Sequence, residues 1–370
     1  MANSFVTVDQ LARDASLLLT DRLIVSKACN RDSEAKFANA VGDTVKVQVP
    51  ALLSANSFAT NGTTTAQNIK QTSLDIVVEE HFDVTVTLTS KERTLKLEDF
   101  NKQITIPAIN ALQDQVDAFL LKKFHGLQLW SGTGGTAPST VAHIVAGRKV
   151  LQDAKLKGMY TGVISTTTEA SLLQLAQFQS RDYAGDVATE SGMIGKRFGI
   201  DWLVHKSTSG FTRGDPAGTV LVNSSTAAIG DQTLAMDAFT NATGTIYAGT
   251  HFTLAGDTTV YVVTANATKS GNAATLTFYP PLVAAPADNA AVTFKAAATD
   301  DFVLVKGAVA AAIIPPAPLS IGSAIYNGPG NMGVRVTSGT STSTLSDTIV
   351  FDVMVGAKAV HPYAGAIWQA

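Results

Sequence analysis

Histidines and their acidic neighbours are the residues of this chain whose types suit metal binding or proton exchange. The six histidines are His81, His125, His143, His205, His251 and His361. They are scattered, and no HExxH or HxH pair offers the spacing of a zinc site. His81 directly follows Glu79-Glu80 on an alternating segment, where a solvated cluster on an edge strand explains the group better than a metal site. We therefore expect no metal centre.

Carboxylates and glycines offer the remaining chemistry. Asp300-Asp301 and the pair Asp231 and Asp237 suit calcium in principle, but no stretch has calcium-loop spacing, and turn capping accounts for them better. Gly132-Thr133-Gly134-Gly135 resembles part of a phosphate-cradling loop without its GxxxxGK[ST] order. No GxSxG elbow is present either. The sequence predicts no catalytic residue and no cofactor.

The tryptophans and the single cysteine have structural explanations. Trp130, Trp202 and Trp368 are isolated, and a base-stacking platform would need basic neighbours, so we expect core anchors. Cys29 stands alone, which excludes an internal disulfide and matches no zinc spacing. We expect it to be a small buried residue of a protein assembled in a reducing compartment.

Composition narrows the function classes. The chain has 370 residues, enough for two or three domains, and a net charge of −3 that provides no basic field for sequence-specific nucleic-acid binding. This net charge does not exclude a local basic patch that faces packaged nucleic acid. Charged residues make up 15%, against about 25% in typical chains, so much of the surface is expected to face neighbours or to carry small polar residues. No signal peptide is recognised at Met1–Val8, and the apolar run Ala308–Ile314 is too short for a bilayer, so we expect a soluble protein made in the cytoplasm.

The first hundred residues predict a helix followed by a long hairpin. A 3.6-residue apolar period covers Val8–Lys27, with Asp9 as its cap. Alternating strands at Asp43–Val49 and Leu74–Leu88 enclose the polar stretch Ser54–Ser73. Such a tip is either a disordered surface loop or an arm that becomes ordered on a neighbouring subunit. The candidate subunit contacts are Phe58, Asn61, Asn68, Glu79 and Glu80.

A long amphipathic helix is predicted from about Glu98 to Leu127. Its inward positions are Phe100, Ile104, Ile109, Leu112, Val116, Phe119, Leu120 and Phe124. Pro107 either opens the main helix or kinks a longer one.

The following segments alternate between helix and strand, which indicates an α/β domain. Helices are predicted at Thr140–Lys157 (Val145 among its inward residues, Gly158 as its cap) and Glu169–Gln177, and strands at Thr161–Ser165 and Ile200–His205. After an interruption, a strand and helix at Asp300–Ile314 and strands at Gly333–Thr337 and Thr348–Val360 resume the pattern.

The interruption, about Gly214 to Lys295, is predicted to be an inserted all-β barrel or sandwich. Its expected strands are Thr219–Val222, Thr233–Met236, Phe252–Leu254, Val260–Thr264, Thr275–Tyr279 and Ala291–Lys295. Its expected core is Phe239, Phe252, Leu254, Val260, Val262, Leu276, Phe278 and Val292.

Three stretches resemble the coat proteins of short-tailed bacteriophages. The first is the strand pair, then Glu98-Asp99-Phe100 and the helix to Leu127. The second runs from Gly249 through Tyr261–Thr264 to Leu282, and is similar to the family's GDxFxxAGV…V…V…IxPxL pattern. The third is Ile349–Gly356 with His361-Pro362, which resembles the closing strand and its Arg-Pro-Glu turn. Departures are His361-Pro362-Tyr363 in place of Arg-Pro-Glu, Gly249-Thr250 in place of Gly-Asp, and Pro107 in the spine helix.

The resemblance implies an α+β, Hong Kong-97-like capsid fold with an inserted all-β domain. It implies an N-terminal arm (1–42), an extended loop (43–90), a peripheral domain with the spine helix (91–135), an axial and peripheral α/β domain (136–213 and 299–370) and a β-barrel (214–298). The function implied is that of a non-catalytic major capsid protein, found in the virion after assembly in the host cytoplasm.

The resemblance also implies partners. The chain would form hexamers and pentamers of itself, meet portal and scaffolding proteins and in some cases a decoration protein, contact packaged DNA non-specifically and bind no membrane. The alternative from another class is a β-rich secreted or cell-surface binding protein, which the Thr- and Gly-rich strands fit and the long helix does not. An enzyme ranks third, because no nucleophile or acid–base cluster is present.

Overall fold

The computed structural model describes residues 8–32, 44–49, 72–89, 101–179, 194–224, 226–319, 322–328, 332–341 and 346–369. Its α-helices are α1 (Val8–Arg22), α2 (Ile106–Phe124), α3 (Val141–Asp153), α4 (Thr166–Leu173) and α5 (Ala176–Gln179). Short 3-10 turns cover Val25–Ala28 and Pro362–Ala364, and a π-helical turn, Asn101–Thr105, leads into α2.

The strands follow in chain order. They are β1 (Thr44–Val49), β2 (Thr72–Val77), β3 (Glu80–Thr89), β4 (Leu129–Ser131), β5 (Tyr160–Ser165), β6 (Lys196–Arg197), β7 (Ile200–His205), β8 (Gly218–Val222), β9 (Thr233–Phe239), β10 (Thr245–Ile246), β11 (His251–Leu254), β12 (Tyr261–Val263), β13 (Ala267–Thr268), β14 (Ala274–Tyr279), β15 (Val292–Phe294), β16 (Phe302–Val305), β17 (Val309–Ile314), β18 (Ser323–Asn327), β19 (Gly333–Ser341), β20 (Ser346–Ala359) and β21 (Gly365–Trp368).

An antiparallel five-stranded sheet carries the largest hydrophobic core. Strand β20 is its axis: β3 pairs along one side, and β19 and β17 pair along the other, with β18 beyond β19. Helix α1 packs against β18 and β19, and α2 packs against β3 and β20. The fully buried residues of this core include Leu19, Leu112, Leu120, Phe124, Val334 and Phe351. The amphipathic face predicted for the long helix is confirmed by this packing.

A mixed six-stranded sheet in the order β4-β21-β16-β5-β7-β6 forms the second layer. Strands β5 and β7 run parallel, as the helix–strand alternation predicts, with α4 against both and α3 against β4 and β21. Trp202 and Trp368 meet in this core with ring centroids 5.1 Å apart, so both are the anchors expected. Gly162 makes room for one of them, since a Cβ there would lie 2.4 Å from the Trp202 ring.

The third sheet is the all-β segment, with strands in the order β15-β11-β12-β14-β9-β8. Its two edge strands also meet: Leu221 bridges Ala291, and Val222 N donates to Ala290 O at 2.9 Å. This closes the sheet into a barrel, and we call residues 214–294 the barrel segment. All six predicted strands are present within three residues of their expected ends. The segment has its own hydrophobic cluster, which contains the predicted Phe239, Phe252, Leu254, Leu276, Phe278 and Val292. Of the other two predicted core residues, Val260 is half-buried and Val262 is buried outside that cluster.

One sequence prediction fails after β16, where the sequence predicts a helix up to Ile314 but Val309–Ile314 form strand β17. The run is apolar without alternation because both faces of the strand are buried, a pattern typical of strands covered on both sides. Val309, Ala311 and Ile313 face the main core. Ala310 and Ala312 face a ribbon formed by β1 and β2.

The predicted strand Leu74–Leu88 is also wrong as a single element. It divides into β2, which pairs with β1, and β3, which leaves that ribbon to pair with β20. The hairpin therefore has a short second strand, and its predicted tip lies outside the described residues.

Helix boundaries need three further corrections. The first helix ends at Arg22, before the predicted Lys27. Helix α3 ends at Asp153 with Ala154 as its C-cap, so Gly158 is not the cap, and Val145 is 51% exposed and not inward. The predicted helix Glu169–Gln177 is two shorter helices, α4 and α5. Pro107 lies in the first turn of α2, so it opens the main helix, while Glu98–Phe100 fall outside the described residues.

Candidate assembly surface and the contacts that position it

Two of the five candidate contact residues lie in the described part of the chain, at the corner between β2 and β3. Glu79 N donates to Val355 O at 3.1 Å, which fixes the corner on β20. The Glu79 carboxylate accepts from Lys123 Nζ at 2.5 Å, and Lys123 lies in the last turn of α2. Glu80 is exposed at the start of β3. The other candidates, Phe58, Asn61 and Asn68, lie outside the described residues.

Strand β3 presents a long free edge next to this corner. It pairs with β20 over its whole length, and no described strand pairs with its other side. Its inward side chains, Phe82, Val84 and Val86, pack on the main core. An unpaired edge exposes backbone N–H and C=O groups that another chain can pair with, so this edge is a natural contact surface.

The outward face of the same sheet contains a charged cluster that sequence reasoning missed. Asp352 is buried and accepts from Arg335 through Nε at 3.0 Å and through Nη2. His81 Nε2 lies 2.9 Å from the same carboxylate. A bidentate arginine–carboxylate pair of this kind has strong, directional hydrogen bonds. His81 is on an edge strand, as expected, but its partner is Asp352 and not the neighbouring glutamates.

The two chain segments that lead into and out of the barrel segment, at Ser209 and Asp300, are held together at the end of α2 by a buried polar contact. His125, which follows α2, lies with Nε2 3.0 Å from Asp300 Oδ1 and stacks on Phe211 at a centroid distance of 4.1 Å. Ser209 donates to the same carboxylate through N at 2.8 Å and through Oγ at 2.5 Å. Burial alone would raise the pKa of Asp300, but the hydrogen bonds from His125 and Ser209 lower it overall. The Asp300 carboxylate is therefore a charged anchor for the two places where the chain enters and leaves the barrel segment, which we call the chain crossings.

This serine, histidine and aspartate do not form a catalytic relay. In a relay the aspartate and the serine bind opposite ring nitrogens, whereas here both approach His125 Nε2. His125 Nδ1 is buried without a partner among the described residues. It borders a small cleft of about 10 Å³, room for one water, lined also by Trp130, Arg213 and Lys295.

A second histidine fastens the barrel to the end of the long helix. His251 is buried on β11 and its Nε2 donates to Leu127 O at 2.6 Å. Burial lowers the pKa of His251 to about 4, although the hydrogen bond to Leu127 opposes the shift. His251 is therefore neutral near pH 7, which suits a contact buried between two layers.

Contrary to the sequence prediction, Asp301 does not cap a local turn but holds the start of a helix that is distant in the sequence. It is fully buried and accepts from Ser165 N, Thr168 Oγ1 and Thr299 Oγ1, each at 2.7 Å. Ser165 is the N-cap of α4, so the carboxylate holds the start of that helix. The described residues contain no group of three or more histidine, cysteine or carboxylate side chains suited to a metal.

One ionisable group is buried beneath the long helix itself. Asp117 of α2 accepts from Val25 N and from Gln113 Nε2, both at 3.3 Å. Burial raises the pKa of Asp117 to about 6, against the lowering effect of these hydrogen bonds. Among the described helices, none is both long enough and apolar enough to cross a bilayer.

Comparison with known proteins links this fold to phages. No protein-family profile matches the chain, and no curated protein is similar to it in sequence. A solved structure titled "Mycobacterium phage Che8" is 13% identical with a TM-score of 0.52, and the match covers 93% of this chain and 90% of that chain. "Capsid of Ralstonia phage GP4" is 10% identical with a TM-score of 0.45, over 86% of this chain and 80% of that chain. "Capsid structure of the Cyanophage P-SCSP1u" is 14% identical with a TM-score of 0.43, over 88% and 83%.

The chain shares a mixed helix-and-sheet fold with the Che8 phage structure over almost its whole length. The resemblance found in the sequence is therefore confirmed at the level of the fold.

Proposed function

We propose that this chain is the major capsid protein of a tailed bacteriophage, which assembles with copies of itself into the icosahedral shell around the genome. The observation that carries the proposal is the fold shared with the Che8 phage structure across 93% of the chain. Because the match covers 93% of the chain, it extends well beyond any single helix or sheet and does not depend on one common motif. The chain acts as a structural protein in the virion and not as an enzyme.

The finer assignment is a Hong Kong-97-like fold with the barrel segment as an inserted domain. Closure of the β8–β15 sheet and its separate hydrophobic cluster support an inserted domain within residues 214–298. Helix α2, buried along one face against the five-stranded sheet, supports the spine helix of the 91–135 segment. The ribbon of β1 and β2 supports an extended loop within residues 43–90. Residues 1–42 would form the N-terminal arm, whose helix α1 packs on β18 and β19.

Self-assembly is the partner relationship that the free edge of β3 and the corner at Glu79 support best. Hexamers and pentamers of this chain build the shell, a portal and scaffolding protein join it during assembly in the host cytoplasm, and packaged DNA is contacted without sequence preference. A cell-surface binding protein has no comparable support, since nothing in the described fold favours it.

Expression of the chain alone, or with its scaffolding protein, tests the proposal. Sedimentation and negative-stain electron microscopy should show closed shells of many copies. Deleting Asn56–Asn68 should leave a folded monomer that forms no shells, since permanent assemblies commonly bury more than about 2,000 Å². The matched control is Asp237→Asn, which removes one charge on β9, outside the hairpin, and should leave shell formation unchanged. Normal shells from the deletion would contradict the arm, and a monomer under every condition would contradict the capsid function.

A further inference from the structure

The barrel segment carries charge of almost one sign. From Gly214 to Phe294 the sequence has five aspartates and one lysine, Lys269, and no arginine or glutamate. The side chain of Lys269 is fully buried, and its Nζ donates to Asp215 Oδ2 at 2.9 Å. The segment therefore has a net charge of −4 and no exposed cation, so two barrel segments repel each other.

An apolar tip lies at the end of the barrel away from the chain crossings. Ile229 is 70% exposed in the loop before β9, and Val283 is 61% exposed in the loop after β14. The two loops are paired, because Gly230 N donates to Leu282 O at 2.9 Å and Leu282 N donates to Asp231 O at 2.8 Å. We call this end of the barrel the tip.

Carboxylates without a cation surround the tip. Asp231 caps the nearby Ala228 N at 2.8 Å, and Asp288 is exposed in the second loop. Asp257 accepts from Tyr261 Oη at 2.5 Å, and the same hydroxyl accepts from Val283 N at 3.4 Å. None of the three carboxylates has an ion-pair partner among the described residues.

A second surface of the same chain has the opposite character. Met159 is 56% exposed in the turn between α3 and β5, and Lys155 and Lys157 are exposed in the same turn. Lys306 is exposed in the turn after β16. This turn lies next to the first one, because a Cβ on Gly158 would lie 3.6 Å from the side chain of Val305. None of these three lysines has an ion-pair partner within the described ranges. We call this surface the basic corner.

We infer that the tip of one copy docks on the basic corner of a neighbouring copy. Each surface has an exposed apolar centre and a ring of three uncompensated charges, and the two rings have opposite signs. Apolar centres enclosed by polar rims are typical of protein interfaces. Because the two surfaces differ, the contact is head-to-tail, which generates rings or lattices of copies. The inference rests on the proposed function for its setting, since a shell supplies many copies at close range.

Cysteine cross-linking tests the contact directly. Val283→Cys and Met159→Cys are made as separate variants, and the single native cysteine, Cys29, is buried. The two variants are mixed and exposed to oxidised glutathione, whose disulfide accepts the two thiol electrons. The disulfide-linked dimer of the two variants should form at least about tenfold faster than either variant alone forms a disulfide-linked dimer with itself. The matched control is Val283→Cys with Val145→Cys, which is similarly exposed outside the corner. Equal cross-linking in the control mixture would overturn the inference.

Charge exchange tests the electrostatic part. The tip variant is Asp231→Asn and Asp257→Asn with Asp288→Lys, which changes the charge of the tip from −3 to +1 and keeps the acceptors for Ala228 N and Tyr261 Oη. The corner variant is Lys157→Glu with Lys306→Glu, which changes the charge of the corner from +3 to −1. Each should raise the protein concentration needed for assembly by about tenfold at low salt, and the combined variant should restore it. Asp237→Lys, a charge reversal on β9 away from the tip, should have no effect. Unaffected assembly in the single variants, or no recovery in the combined one, would overturn the docking.

Failure of the two proposals can be told apart. If wild-type protein forms shells but the cross-link and charge exchange fail, the docking is wrong and the capsid function stands. If the Val283–Met159 cross-link forms in a protein that never closes shells, the contact stands and the capsid function is wrong.

Discussion

Phe119 of α2 meets Phe82 of β3 edge to face, with ring centroids 6.2 Å apart. This contact holds the long helix against the strand whose other edge is free. Lys123 Nζ lies 5.1 Å from the centroid of the same Phe119 ring while pairing with Glu79. One aromatic side chain thus links the helix, the edge strand and the charged corner of the hairpin.

Phe119→Ala should lower the free energy of unfolding by about 3–5 kcal/mol, because the side chain is 8% exposed and its removal leaves a cavity against Phe82. Urea unfolding of the purified monomer measures the change. Val145→Ala, on the exposed side of α3, is the control and should change it by less than about 0.5 kcal/mol. An unchanged midpoint for Phe119→Ala would reject the packing of α2 on β3.

Asp117→Asn should stabilise the protein above neutral pH. The folded protein holds this proton more tightly than the unfolded chain does, since the pKa of Asp117 is raised from 3.8 to about 6. Its stabilising effect is complete below pH 4 and is lost as pH rises through 6, a change of about 3 kcal/mol. The asparagine variant should lack this loss, so its advantage in urea unfolding should be present at pH 8 and absent at pH 4. A constant difference at both pH values would contradict the assignment.

His251→Gln should remove an acid-sensitive contact. The pKa of His251 is lowered from 6.5 to about 4, so its contribution to stability is complete above pH 6.5 and is lost as pH falls through 4. Between pH 7 and pH 4 the wild type should lose about 3 kcal/mol more than the glutamine variant, which keeps a donor for Leu127 O. Unfolding followed at several pH values measures this. Stability is lost with falling pH at His251 and with rising pH at Asp117, so the two effects partly cancel in the wild type. Removing one of the two groups should make the pH dependence of the other visible in the free energy of unfolding.

Phe278→Ala should unfold the barrel segment before the remainder. Phe278 packs against Phe252 and Tyr261 with centroid distances of 5.5 and 5.3 Å, and small domains of this size are only marginally stable. Calorimetry of the full chain should show an early transition in this variant, and Thr277→Ala, on the exposed side of the same strand, should not. Excised residues 214–298 should give dispersed amide resonances and a cooperative melt. A disordered spectrum would mean that the segment depends on the rest of the chain.

Barrel strands such as β14 were predictable because their residues alternate between the hydrophobic cluster and solvent, so the two-residue period is visible in the sequence. Strand β17 was not, because Ala310 and Ala312 face the hairpin ribbon while Val309 and Ala311 face the main core. Burial on both sides removes the alternation that identifies a strand, and the alanines suggest a helix instead.

The polar contacts were harder to predict for another reason. Arg335, Asp352 and His81 come from three strands, and only the register of those strands brings them together. Asp300 and His125 are 175 positions apart in the sequence and are likewise joined only by tertiary packing. The contacts of Asp301 with Ser165 and Thr168 were missed for the same reason, since more than 130 positions separate them in the sequence. Asp231, which caps Ala228 N three positions away, has the turn-capping role that was predictable.

The pairing of β3 with β20 has a consequence for how the protein is made. Thr89 of β3 pairs with Ser346 of β20. Because synthesis proceeds at about 5–20 residues per second, β3 leaves the ribosome long before its partner strand has been made. The barrel segment, whose strands pair with neighbours close in sequence, is complete before β20 is synthesised. Translation therefore presents a folded barrel beside an exposed apolar helix and an unpaired strand. Premature contact between nascent chains on one polysome is the hazard this topology creates, and slow synthesis should make it worse.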